Sequence, residues 1–124
     1  MQMRNSKQKI SVKTDHVLVE RSPGYEVVMA DQSAWLAELS EICKTSGCKN
    51  ALVMGHNTNV RLSLMDIFEL GQKIAGLRLR IAVVETHDAS KSSVEFLESV
   101  ATIRGGPLKF FGDIQSAKGW LEIS

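Results

Sequence analysis

Two periods of apolar residues run along the chain, and each change of period marks an element. From Ile10 the spacing is that of extended chain: Ile10, Val12, Val17-Leu18-Val19 and, beyond Ser22-Pro23-Gly24, Tyr25-Glu26-Val27-Val28-Met29. Pro-Gly between two β-rich runs predicts a turn with an antiparallel pair about it. Asp31-Gln32-Ser33 then offers cap residues to a helix whose buried face is Leu36, Leu39, Ile42 and Cys43, with Gly47 as its stop. Ala51-Leu52-Val53-Met54 is a continuous apolar run of the kind found in a strand covered on both faces, and the polar loop Gly55-His56-Asn57-Thr58-Asn59 follows it.

A second helix is predicted after Ser63, with Leu64, Ile67, Phe68, Gly71, Ile74 and Ala75 on one face, Asp66 three residues after Ser63 resembling a capping box with a shorter acid, and Gly76 ending it. Leu79 and Ile81 to Val84 form the next buried strand, followed by the loop Thr86-His87-Asp88-Ala89-Ser90. Ser92-Ser93-Val94-Glu95 is a capping box for a third helix, which Gly105-Gly106-Pro107 terminates. Leu108 to Phe111 give a last strand, and Asp113 caps a final helix carrying Ile114, Ala117, Trp120 and Leu121. Strands alternating with helices demand right-handed crossovers, so the expected class is α/β: a mixed, largely parallel sheet of about five strands with about four helices packed on it. Residues 1–8 are polar and aperiodic and are expected to be a flexible tail, leaving 9–124 as a single domain.

The charge balance narrows the partners. Fifteen basic residues against fourteen acidic ones give a net charge of +1, too little to draw in nucleic acid or an anionic membrane. The basic stretch 1–9 has no apolar segment after it, and no apolar run approaches the roughly 20 residues of a membrane span, so a cytoplasmic protein without stable membrane insertion is expected. Cys43 and Cys48 enclose Lys-Thr-Ser-Gly, which is neither a CxxC redox pair nor half of a zinc site. They read as two thiols near a helix end. No glycine pattern suggests a nucleotide, and neither cofactor nor metal is expected.

The polar residues with most potential follow two successive parallel strands: His56, Asn57, Thr58 and Asn59 after the first, Glu85, Thr86, His87 and Asp88 after the second. Such loops emerge on one edge of the sheet, where open α/β domains bind ligands. The same residue types are ordinary turn and cap formers, and no serine or cysteine lies in a strained elbow beside a base, so no enzyme is expected. Ser63 has a structural reading as a helix cap and a functional one beside Arg61, because a phosphate at a helix amino terminus is stabilised by the dipole and a neighbouring cation.

From Lys49 to Leu121 the chain resembles the STAS fold, and within it the SpoIIAA-like group related to Sec14-type domains. The Ala51–Met54 strand, the Ser63–Ala75 helix, the Leu79–Val84 strand and the ending Phe110-Phe111-Gly112-Asp113 through Trp120-Leu121 carry the likeness. In anti-sigma-factor antagonists of that family a serine in an Asp-Ser-Ser-Gly-like motif, at the start of the second conserved helix, is phosphorylated to control partner binding. Ser63 is the nearest position, set in Val60-Arg61-Leu62-Ser63-Leu64-Met65-Asp66 without the preceding Asp or the following Gly-Leu.

The resemblance implies a non-enzymatic regulatory or protein-binding module that uses the region around the Ser63 helix. The alternative is a carrier of a small apolar or lipid-like ligand, with Met65, Phe68 and Phe96 lining a gap between helices. A homodimer face would be marked by an exposed Tyr25 or Trp35.

Overall fold

A computed structural model describes residues 2–4, 8–55, 59–60, 62–85 and 91–124. Its elements, in chain order, are β1 (Gln2–Arg4), β2 (Gln8–Val12), β3 (Val17–Arg21), β4 (Glu26–Val27), α1 (Met29–Ser46), β5 (Asn50–Met54), β6 (Asn59–Val60), α2 (Leu64–Leu77), β7 (Arg80–Val84), α3 (Lys91–Ile103), β8 (Leu108–Phe111) and α4 (Ile114–Leu121). Strands β1-β2-β3-β5-β7-β8 form one six-stranded sheet. The first three run antiparallel, and β3, β5, β7 and β8 run parallel. This is the α/β class that the alternation of periods implies.

Alternation within each parallel strand divides the core in two. Val17, Val19, Ala51, Val53, Ile81 and Val83 point to the face covered by α1, α2 and α3. Leu52, Ala82 and Val84 point to the other, where Ala117 and Leu121 of α4 close a smaller cluster. Full burial of a Val or Leu side chain contributes roughly 1.5–3 kcal/mol. A one-residue slip would exchange the two faces, so the larger cluster holds the register.

Two helices cross closely because glycine permits it. A Cβ on Gly71 of α2 would lie 2.6 Å from Cγ1 of Val100 on α3, and one on Gly106 would run into the backbone of Ala75. The carboxylate of Glu98, on α3, accepts the backbone N–H of Phe110 at 2.7 Å and so ties that helix to the edge strand β8.

Several expectations shift. Over 1–8, expected as a tail, Gln2–Arg4 pairs antiparallel with β2 as a sixth strand, and Gln8 is a buried residue of β2 itself. Pairing satisfies backbone groups that the edge of β2 would otherwise leave open. Pro23-Gly24 does make a turn, closed by Tyr25 N–H donating to the Ser22 carbonyl with Gly24 at φ 73°, but the chain beyond it does not return along β3. The antiparallel partner of β3 is β2, and the short β4 pairs parallel with β6.

Helix α1 starts at Met29 without a side-chain cap, which makes Asp31-Gln32-Ser33 part of its first turns. Helix α3 starts at Lys91, placing Ser92 inside the helix rather than at its cap. Helix α2 runs one residue past Gly76 and ends on Arg78 at φ 56°. Gly47 and Asp113 act as expected, the first in the left-handed conformation after α1 and the second accepting the Ser116 N–H.

Candidate functional site

Right-handed crossovers set the amino-terminal ends of α1, α2 and α3 at the carboxyl edge of the parallel strands. At that edge α2 is locked by reciprocal hydrogen bonds. The N–H of Asp66 donates to Oγ of Ser63 at 3.1 Å, and the N–H of Ser63 donates to Oδ2 of Asp66 at 3.1 Å. Leu62 before the cap and Ile67 after it line one cavity, the arrangement of a hydrophobic staple.

The first two residues of α2 nevertheless lie at the surface. Leu64 is 71% exposed and Met65 75% exposed. Phe68 is also at the surface, its ring 5.4 Å from the guanidinium carbon of Arg104. The buried stripe of α2 is therefore Ile67, Leu70, Gly71, Ile74 and Ala75, with the expected members Leu64 and Phe68 outside it.

Of the polar residues singled out at this edge, Ser63 and Glu85 are placed: Ser63 is exposed and caps α2, and Glu85 lines a cavity beneath the edge. His56, Asn57, Thr58, Arg61, Thr86, His87 and Asp88 lie outside the described residues, and Asn59 is described by its backbone, which pairs with Glu26. Among the described residues no three His, Cys, Asp or Glu side chains gather as they would to hold a metal ion. Among them, too, no helix is long and apolar enough to cross a membrane. Cys43 and Cys48 are free thiols, the first buried.

Beneath the same edge, between the sheet and the three helices, lies an apolar cavity of about 80 Å³. Met65, Phe68 and Phe96, expected to line such a space, are surface residues, and aliphatic side chains with Trp35 and Phe110 line it in their place. Two polar residues that sequence reasoning passed over stand at its wall. Gln32 is 1% exposed, takes the Trp35 Nε1–H on its oxygen at 2.7 Å and donates its amide to the Val28 carbonyl at 3.1 Å.

The guanidinium carbon of Arg21 lies 4.9 Å from the centre of the Tyr25 ring and 5.7 Å from that of Trp35. Arg21 is partly exposed as a whole, yet its Nε is sealed from solvent and has no hydrogen-bond partner among the described residues. Desolvation lowers its pKa from the ordinary value, against the opposing pull of Tyr25 and Glu85. Tyr25 and Trp35 themselves are buried, so the aromatic side chains that would have marked a dimer face are internal.

No protein-family model and no curated protein matches the sequence. The fold is SpoIIAA-like. A solved structure of an uncharacterised protein of the DUF3478 family from Shewanella loihica PV-4, described as having a SpoIIAA-like fold, superimposes with a TM-score of 0.52. The two are 19% identical, and the match covers 96% of this chain and 98% of that one. The STAS/SpoIIAA-like resemblance seen in the Lys49–Leu121 segment thus holds for the fold along nearly the whole chain.

Proposed function

We propose that this protein is a non-enzymatic regulatory module that docks a protein partner on the first turns of α2. The observation that carries the reading is the exposure of Leu64 and Met65, 71% and 75%, on a helix start held rigid by its capping box. Scattered apolar residues at a surface are ordinary, but Leu64, Met65 and Phe68 are neighbours on one side of a helix and form a continuous patch. Leaving such side chains in water forgoes roughly 1.5–3 kcal/mol each of the burial a partner could supply. Rigid presentation favours docking, because little order remains to be imposed when the partner arrives.

Ser63 stands at the rim of that patch with its hydroxyl exposed. Phosphorylation there would place about −1.5 to −2 charges beside an apolar contact and next to the Asp66 carboxylate, which disfavours docking and makes the residue a switch. A lipid carrier would draw on the cavity instead of the surface, and the cavity is small for that purpose.

A photo-crosslinking amino acid at position 65, and at Gln115 on α4 as a control, tests the reading in cells of the source organism. A discrete heterologous adduct at 65, absent at 115 and abolished by Leu64→Glu, supports it. Self-adducts alone would replace the partner by a second copy of the chain, and equal labelling at both sites would refute a docking face.

A further inference from the structure

The cavity has an apolar floor and a polar rim, and its parts follow from strand register. Val53, Val83 and Phe110 sit side by side on β5, β7 and β8 and form the floor. Continuing the register one pleat along the strands brings Arg21, Gly55 and Glu85 into the next row, where Gly55 places no side chain between the other two. The fourth residue of each covering helix, Gln32 of α1, Ile67 of α2 and Val94 of α3, also lines the cavity. Three helix amino termini, each with partial positive charge, therefore surround a space whose described charged lining residues are Arg21 and Glu85.

Arg21 keeps one donor that the described residues do not satisfy. The rings of Tyr25 and Trp35 occupy its neighbourhood, while Gln32, the buried polar side chain of α1, directs its oxygen to Trp35 and its amide to Val28. The Nε–H, out of solvent, remains without an acceptor among the described residues. A buried donor in that state costs free energy until an acceptor reaches it. A planar carboxylate meets a guanidinium in matched geometry, and the surrounding helix termini offset the repulsion from Glu85.

We propose that this cavity binds a short-chain aliphatic monocarboxylate, its tail over Val53, Val83 and Phe110 and its carboxylate on Arg21. Volume sets the length: against roughly 10–15 Å³ for a cavity that holds one water and about 150 Å³ for one that admits benzene, the space takes a tail of roughly three carbons. The site is separate from the docking face on α2, so each stands or falls alone.

Amide chemical-shift titration of the folded protein with butyrate and with its neutral isostere butyramide tests the proposal. Butyrate is expected to give saturable shifts at Val53, Val83 and Phe110 and to bind about tenfold more tightly than butyramide. Arg21→Met removes that preference, and Val94→Phe, which fills the cavity while keeping Arg21, weakens both ligands. Absence of saturable shifts with butyrate, or equal affinity of the wild type for the two ligands, overturns the proposal even if Arg21→Met fails to fold.

Discussion

Ser63 and Asp66 each satisfy a backbone N–H of the other, at 3.1 Å in both directions, and in doing so fix where α2 begins. The cap and the staple beneath it act together: Leu62 and Ile67 turn inward, and Leu64 and Met65 are presented to solvent.

Replacing Ser63 separates its two roles. Ser63→Ala removes the acceptor for the Asp66 N–H and is expected to cost about 1 kcal/mol, a fall of a few degrees in Tm. Ser63→Asp retains an N-cap acceptor and should change Tm much less, while its charge weakens docking. Thermal denaturation of the two variants checks the order; equal losses would contradict a capping role.

The Gly106 position carries a larger penalty. Its Cβ would meet the backbone of Ala75, which cannot step aside as a flexible side chain can. Gly106→Ala is expected to destabilise by about 1–3 kcal/mol through overpacking, measured by urea unfolding with an unchanged m-value. A neutral substitution would mean that the α2 terminus and the turn after α3 are not in contact.

Two surface carboxylates should each give stability a dependence on acid. The Ser116 N–H and hydroxyl hold Asp113 below its ordinary value of 3.8, and the His16 ring, followed by the Ser124 N–H, does the same for Asp15. A depressed folded pKa contributes stability that is fully present above the unfolded value and is lost as pH falls through the folded one. The stability difference between wild type and Asp15→Asn/Asp113→Asn should therefore be constant well above pH 3.8 and shrink progressively below it. Denaturation followed as a function of pH measures this, and a difference that grows on acidification would contradict it.

The two thiols should react unequally. Desolvation, and then the charge of Cys48, push the Cys43 thiol up to about 11. Since the thiolate is the nucleophile, iodoacetamide is expected to label Cys48 in the native protein and spare Cys43, with both labelled in denaturant. Mass spectrometry of the alkylated peptides reads the outcome, and equal native labelling would contradict the burial of Cys43.

Much of the architecture was legible because its causes are local. Apolar runs gave β5, β7 and β8, and Ser63, Asp113 and Gly47 marked helix ends through their own backbone chemistry. The strands β1 and β6 escaped because short, polar-flanked segments owe their conformation to a partner strand and not to their own residues. Leu64 and Phe68 fit the helical period of the buried stripe, but the period does not encode what covers a side chain: Leu64 sits in the first turn and Phe68 at the margin of the stripe, and both are exposed.

Signals for the cavity were present but pointed the wrong way. Arg21 has the parity of Val17 and Val19 in a strand, and Gln32 stands at helical spacing from Trp35, Leu36 and Leu39. A charged or amide side chain at an element's end reads as solvent-facing, and its burial becomes apparent only when three helices close over the strand edge. Residues 56, 57, 58, 61, 86, 87 and 88 carry the remaining site expectations and lie outside the described residues.

The most direct test of the docking face is calorimetric titration of the protein captured by the crosslinker at position 65, first with the wild type and then with Leu64→Ser/Met65→Ser. Loss of about tenfold or more in affinity, roughly 1.4 kcal/mol, with Tm unchanged is the predicted result. Undiminished affinity in the folded double variant would contradict the assignment of the first turns of α2 as the binding surface.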